Sequence, residues 1–347
     1  MKAFFHPAQR LHEPRQFMRS GVISDPKDVA DRVAPLLAAL GRHGVSVTEP
    51  ADYGVKLALS VHSPAYVEFL RSAFERWSAL PNAGPEVLPN VFPYWNGDPG
   101  RAGRPPCPSP SIIAQAGWYM GDLAVPIGPH TWRSALASTH TAVAAADAAL
   151  DGERYAYALC RPSGHHSRGD RASGFCYLNN SAIAAERLRG RYGKVAVLDV
   201  DAHHGDGTQE IFYRRDDVLT VSVHVDPQGY YPFFTGYEHE TGHGAGEGFN
   251  RNLPLAVGSG DAAFLAAVDA GIKAVTTFGA QALVLALGYD GHKDDPITAL
   301  TLTTGVYRAI GERIAPLGLP TVVVQEGGYQ VSVIGDCLDA FLAGLSA

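Results

Sequence analysis

Apolar residues along the chain switch between two periods. Val29, Val33, Leu36, Leu37 and Leu40 recur at helical spacing within residues 26–43. Tyr66, Leu70 and Phe74 share a face within residues 61–79, where Ser63-Pro64 supplies a helix start. Residues 2–6 read as a first short strand that stops at Pro7. From Trp132 onward the alternation is regular. Helices are expected over residues 134–151, 180–192, 262–278, 303–315 and 334–345, and strands over 155–160, 194–198, 218–224, 282–287 and 320–324. The strands are continuous apolar runs, which implies that both sheet faces are covered, as in a parallel, doubly wound α/β architecture. There is no internal repeat.

Between residues 80 and 131 the texture changes. Pro81, Pro85, Pro89, Pro93, Pro99, Pro105, Pro106, Pro108 and Pro110 cannot belong to regular elements, so a long excursion is expected, of the kind that forms lids or subunit contacts. Residues 1–347 are otherwise expected to form one catalytic domain carrying this insertion.

Composition adds limits. The 347 residues are 46% hydrophobic and 18% charged, with a formal charge of −7 and no basic run, which argues against nucleic-acid binding. Cys107, Cys160, Cys176 and Cys337 lack Cys-x-x-Cys spacing and suggest reduced thiols in a cytoplasmic setting. Cys160 and Cys176 bracket a histidine pair, yet small apolar packing explains them better than thiolate ligation. No apolar start reads as a signal peptide, and no run approaches the roughly 20 residues that span a bilayer. The glycines of residues 242–248 follow no strand–turn–helix arrangement and read as a flexible hairpin. His12, His62, His130, His140, His239 and His243 are assigned to surface or loop hydrogen bonds.

The chemistry collects where strands stop. Ligands of open α/β sheets bind beyond the carboxyl ends of strands, and four strand ends here are unusually polar. Arg161-Pro162-Ser163-Gly164-His165-His166 follows the 155–160 strand. Asp199, Asp201, His203, His204 and Asp206 follow the 194–198 strand, the first three at period two and so on one side of an extended chain. Gly288-Tyr289-Asp290 and Gln325-Glu326-Gly327-Gly328-Tyr329 end the last two strands. Asp201, His203 and Asp290 make a sensible catalytic zinc set with one position left for water, whose proton the metal would acidify; Fe(II) suits the same donors. His165 and His166, each steadied by Asp199 or Asp206, are suited to moving protons. Tyr329 is suited to stabilising an oxyanion. Together these describe hydrolysis of an acyl bond.

Several of these stretches resemble the histone deacetylase family. They are residues 161–166, 172–180 (Ala-Ser-Gly-Phe-Cys-Tyr-Leu-Asn-Asn), 199–209 and 326–329. The Phe-His-Pro at residues 5–7, the excursion before Gly128-Pro129-His130-Thr131-Trp132, and Asp294-Asp295-Pro296 resemble its bacterial acetylpolyamine amidohydrolase branch. The resemblance implies a three-layer arginase/deacetylase-like fold with a central, mostly parallel sheet of about eight strands, and zinc-dependent removal of acetyl groups from N-acetylated amines. By position it gives Asp201, His203 and Asp290 as zinc ligands, His166 as general base and acid with Asp206 behind it, and His165 as the more electrostatic partner backed by Asp199. Tyr329 is the carbonyl-polarising group. Phe175 and Tyr231 are the channel walls, next to Gly174; the second wall is usually Phe. It further implies a structural K+ or Na+ at Asp199, Asp201, His203, Ser222 and Val223, a second monovalent ion at Phe212, Arg215, Val218 and Phe249, and a homodimer.

Acetylpolyamines lead as substrates. Acetyl-lysine proteins and neutral or differently charged amides stay open, because Ser111-Ile112-Ile113-Ala114 is not acidic and the sequence does not place Glu86, Asp98 or Asp122. Lys293 either faces the entrance, discouraging cations, or faces solvent. Two other readings compete: an arginase-like two-metal hydrolase, and a non-catalytic module that binds acylated ligands.

Overall fold

A computed structural model describes residues 1–93 and 104–347. Its main sheet has eight strands, all parallel. They are β1 (Lys2–Phe4), β4 (Val47–Thr48), β5 (Tyr155–Ala158), β6 (Val195–Asp199), β7 (Val218–Val225), β8 (Asn250–Leu255), β9 (Ala282–Leu287) and β10 (Thr321–Gln325). A separate antiparallel hairpin pairs β2 (Phe17–Arg19) with β3 (Val22–Ser24).

Strand alternation sorts the core. Ala196 and Leu198 of β6 face one layer, with α1 (Val33–Arg42), α7 (Asp261–Phe278), α8 (Thr304–Ile314) and α9 (Val331–Leu345). Val195 and Val197 face the other, with α4 (Thr131–Leu150), α5 (Asn180–Arg189) and Phe212 of α6 (Asp206–Phe212). Buried alanines such as Ala142, Ala145, Ala182 and Ala185 let α4 and α5 lie close to the sheet and to each other. The expected α/β three-layer arrangement is therefore present, with helices on both faces of a parallel sheet.

Sheet order is β4-β1-β5-β10-β9-β6-β7-β8. The four strands that end in polar residues, β5, β10, β9 and β6, are thus consecutive neighbours. Parallel pairing points all their carboxyl ends one way, so chain segments far apart in sequence meet along one edge.

Some expectations shift. The helix expected over residues 26–43 starts at Val33, after an extended Val29 and a short turn at Ala30–Arg32. The earlier residues are drawn inward instead: Asp28 and Arg32 are buried. The excursion is not free of regular structure. It holds α3 (Ile112–Tyr119), while α2 (Pro64–Ser78) precedes it, and Ile112, Ala116, Tyr119 and Ile127 pack with Tyr66 and Phe69 of α2 in a third apolar cluster. Pro99 and Asp98 lie outside the described residues. β2, β3, β4, β8 and α6 were not anticipated. They are short, or, like β8, polar enough to hide their period. The glycine stretch holds a short 3-10 turn at Gly244–Gly246.

Candidate active site

The donor atoms of Asp201, His203 and Asp290 lie within 4.8 Å of one another, and all three residues are buried. His203 Nδ1 is 2.9 Å from Asp290 Oδ2 and 3.3 Å from Asp201 Oδ1. The backbone finishes the cradle: Gly327 N–H donates to Asp201 Oδ2 at 2.8 Å and Ala202 N–H to Asp290 Oδ1 at 3.0 Å. A Cβ at Gly288 would come 2.0 Å from Asp201 Oδ2, and one at Gly327 2.2 Å from Asp290 Oδ2, so only glycine lets these strand ends approach the carboxylates. Two buried carboxylates this close repel unless a positive charge stands between them. The chain's own answer is a proton. Against the cost of burial, Asp290 and Asp201 push the His203 imidazole up to about 9. One imidazole nitrogen and two carboxylate oxygens fit a divalent cation of the zinc type in that place.

A second His/Cys/Glu group does not fit as well. His165, Cys176 and Glu326 also converge. Burial holds the Cys176 thiol protonated, and Glu326 already accepts from Gly164 N–H (2.7 Å), His165 N–H (3.2 Å) and Ser181 Oγ (2.7 Å). Glu326, which had no role in the sequence reading, thus clamps the His165–His166 loop. The cysteines are free, and burial raises the thiols of both Cys160 and Cys176, in line with packing rather than ligation.

The two histidines have different electrostatics. His165 Nδ1 is 2.9 Å from Asp199 Oδ2 and His166 Nδ1 is 2.7 Å from Asp206 Oδ1. Burial disfavours charge on both. At His165 the carboxylates of Asp199 and Asp201 overcome it and raise the pKa well above its ordinary value. At His166 burial and the neighbouring His165, 4.0 Å away between ring centroids, win over Asp206 and hold it down to about 4. Arg168 neutralises Asp206 through Nε and Nη2 at 3.0 and 2.8 Å, which weakens that carboxylate's pull. The surroundings therefore favour the charged form of His165 and the neutral form of His166.

A cavity of about 580 Å³ opens onto this edge, and Phe17, Asp122, His166, Gly174, Phe175, His203, Tyr231 and Tyr329 are among its walls. Tyr231 stands edge-on to His166 at 5.0 Å, and Phe175 edge-on to Tyr329 at 5.3 Å. Asp122 Oδ2 accepts from Tyr231 Oη at 2.6 Å and from Gly174 N–H at 2.9 Å, so the tyrosine in place of the usual phenylalanine has a partner. Tyr329 N–H donates to Asp295 Oδ2 at 2.6 Å. Lys293 is exposed and does not line the cavity. Glu86 is buried away from it, accepting from Arg15 N–H at 2.9 Å.

The positions given for monovalent ions are also neighbours. Asp199 pairs with Ser222 across β6 and β7, beside Asp201, His203 and Val223. Arg215 N–H donates to Phe212 O at 2.9 Å, next to Val218 at the start of β7 and Phe249.

Several contributors were missed. Phe17 packs on Phe175 at 5.2 Å, and Tyr230 stacks on His203 at 4.8 Å. Arg161 and Arg32 share the buried Asp28 carboxylate at 2.8 Å each, and Arg161 also donates to Gln9 O and His12 O. His12, His62 and His140 are buried, not superficial; His62 Nε2 accepts from Asn179 N–H at 2.9 Å while its Nδ1 meets Arg168 O at 3.0 Å. An isolated histidine carries no local pattern that reports burial.

A parallel α/β sheet with this donor set at its carboxyl edge, flanked by Asp–His pairs and an aromatic cavity, is the arrangement of a hydrolase whose residues could hold a metal. Comparison narrows the class. The chain belongs to the histone deacetylase family, whose model, described as histone deacetylase domain, matches residues 27–345; it is a hydrolytic deacetylase. It is similar to the acetylpolyamine amidohydrolase of Burkholderia pseudomallei, 44% identical over 100% of this chain and 99% of that one. It is also similar to acetylpolyamine amidohydrolase 1 of Pseudomonas aeruginosa, 41% identical over 96% of each. The crystal structure of the Burkholderia acetylpolyamine aminohydrolase superposes with a TM-score of 0.95, covering 100% of this chain and 99% of that one. The family implies a metal cofactor. Among the described residues no helix is long and apolar enough to cross a membrane.

Proposed function

We propose that the protein removes acetyl groups from small N-acetylated amines, acetylpolyamines included, with Zn2+ or Fe2+ held by Asp201, His203 and Asp290. The observation that carries this is the meeting of that donor triad, a neutral His166 and Tyr329 at one end of an aromatic cavity. The similarity to two acetylpolyamine amidohydrolases along nearly their whole length supports the substrate class.

When bound, the metal supplies Lewis-acid polarisation of the acyl oxygen and acidifies water. The rest falls to side chains. His166 Nε2 has no partner within the described residues, so it is free to take a proton from the water that attacks the acyl carbon; Asp206 steadies the imidazolium that results. The same nitrogen then returns the proton to the departing amine. The charged His165 favours negative charge building on the acyl oxygen, and the Tyr329 hydroxyl donates to it. Phe175 and Tyr231 hold the alkyl stem of the substrate and exclude water from it.

The proposal keeps the family's K+ or Na+ sites as structural ions. It also keeps a homodimer with residues 80–131 at the contact, which the exposed Val91 and Phe92 of that segment support. The test is a panel of acetylated putrescine, cadaverine and spermidine, an acetyl-lysine peptide and neutral acetamides, assayed with and without chelator. Hydrolysis of the small amides that stops on chelation is expected; turnover of none of them would refute the proposal.

A further inference from the structure

The cavity wall carries three arginines, Arg19, Arg168 and Arg171, and two of them are easily explained. Arg19 is exposed. Arg168 is neutralised by Asp206 at 2.8 Å. Arg171 is different. Its Nε is buried with no hydrogen-bond partner, and among the described residues its guanidinium makes no ion pair. The nearby acids are engaged elsewhere. Asp170 pairs with Arg104 Nε at 2.9 Å, and Glu210 Oε2 accepts from Gly169 N–H at 2.9 Å. Burial, with Arg104 and Arg168 close by, pulls Arg171 down to about 10.

The side chain is not unpaired through looseness. A bridge with Arg168 fixes its backbone, Arg168 N–H donating to Arg171 O at 2.9 Å. Its stem crosses Gly121 so closely that a Cβ there would come 3.0 Å from Arg171 Cδ. Arg171 is only partly buried, with Nε sealed in the wall; a cation withdrawn from water without a counter-charge is costly, and the outer guanidinium nitrogens are the donors left for whatever enters. Contacts also connect it to the His166 end of the cavity wall. His166 touches Tyr231, Tyr231 donates to Asp122, and Asp122 adjoins Gly121, against which Arg171 lies. Arg171 thus shares the cavity with His166 but is reached from it only through intervening side chains, so it is placed to meet a part of the substrate other than the reacting bond.

We propose that Arg171 is an anion subsite that receives a carboxylate on the far end of the amine, so that ω-acetamido carboxylates are better substrates than acetylated diamines of the same length. This rests on the deacetylase reading above and reorders its substrates: acetylated diamines stay substrates, behind the ω-acetamido carboxylates. An arginine presents a planar pair of N–H donors that matches a carboxylate bidentately, whereas it repels an ammonium.

Three amides isolate the end group: 6-acetamidohexanoate, N-acetylcadaverine and N-hexylacetamide share one acetamide and one five-methylene stem. They end in carboxylate, ammonium and methyl. In the metal-loaded protein the carboxylate is expected to exceed the methyl analogue in kcat/KM by roughly tenfold or more, the worth of one charge-assisted hydrogen bond, with the ammonium last. In R171M that carboxylate-to-methyl ratio collapses towards one, and in R171K part of it returns. A ratio within one variant cancels any general loss of fold or metal. A wild-type ratio near one, or a ratio that survives R171M, overturns the subsite while leaving deacetylation intact. Preference for an N-succinyl amide, with its carboxylate on the acyl side, overturns the amine-side placement. Turnover of none of the three overturns the deacetylase reading, and the subsite falls with it.

Discussion

At the scale of single residues, the proposed catalysis rests on two neighbouring imidazoles tuned apart. His165 faces Asp199 and Asp201, which favour its charged form, whereas His166 shares its carboxylate with Arg168 and sits beside His165. If His166 is the base, it must be neutral to act. Its value of about 4 means that kcat/KM holds down to weakly acidic pH and falls only as pH drops through about 4. A pH–rate profile that loses its acid limb near the ordinary histidine value of about 6.5 would refute this assignment. Tyr329→Phe removes one donor to the developing oxyanion. A fall in kcat of about 10²–10³ with little change in KM is expected, read by steady-state kinetics with one acetylated amine. The motif residues that meet at the cavity could be picked out at this scale, because metal ligation and proton transfer draw on few residue types. Arg171 was not, since an arginine in a polar loop reads as solvated until its neighbours are seen to be committed elsewhere.

Elements decide the cavity's shape. The β2–β3 hairpin turns through Ser20 and Gly21, both at positive φ, a two-residue turn of the twist that suits a hairpin. Its strands are three residues each, too short for their alternation to stand out. It nonetheless delivers Phe17 against Phe175, which in turn packs on Tyr329. Phe17→Ala should loosen that wall and raise KM by up to about tenfold through the lost aromatic contact, with a smaller effect on kcat; kinetics on the same substrate, with circular dichroism to check folding, decide it. The shortened α1 has a similar cause. Asp28 and Arg32 have helical spacing, but two buried arginines compete for Asp28, and Arg32 also donates to Gly328 O and Glu326 O. A local pattern cannot weigh bonds made to residues about three hundred positions away.

For the whole molecule, strand order is the decisive fact. β5, β10, β9 and β6 lie side by side, and their carboxyl ends bring residues 161–166, 199–206, 288–290 and 325–329 to one edge. The resulting buried carboxylates accept from backbone N–H groups yet still repel each other, so a metal bound between them would couple its binding to stability. Removing the metal should lower the thermal midpoint. Free metal at about 100 times its dissociation constant contributes about 2.7 kcal/mol. Calorimetry with and without chelator measures this; an unchanged midpoint in Asp290→Asn, together with an unchanged metal content, would mean that Asp290 holds no metal.

What the sequence alone determined was chemistry and class: apolar runs that demand a sheet covered on both faces, and polar strand ends that make no sense inside a core. Both are local, since period and residue type are properties of neighbours along the chain. What the tertiary structure decided was adjacency. Which strands lie side by side, that a short hairpin walls the cavity, that Asp28 is shared by two arginines and that Arg171 is left unpaired all depend on packing between distant segments. Such packing free energies sum over many weak contacts that no single stretch of sequence encodes.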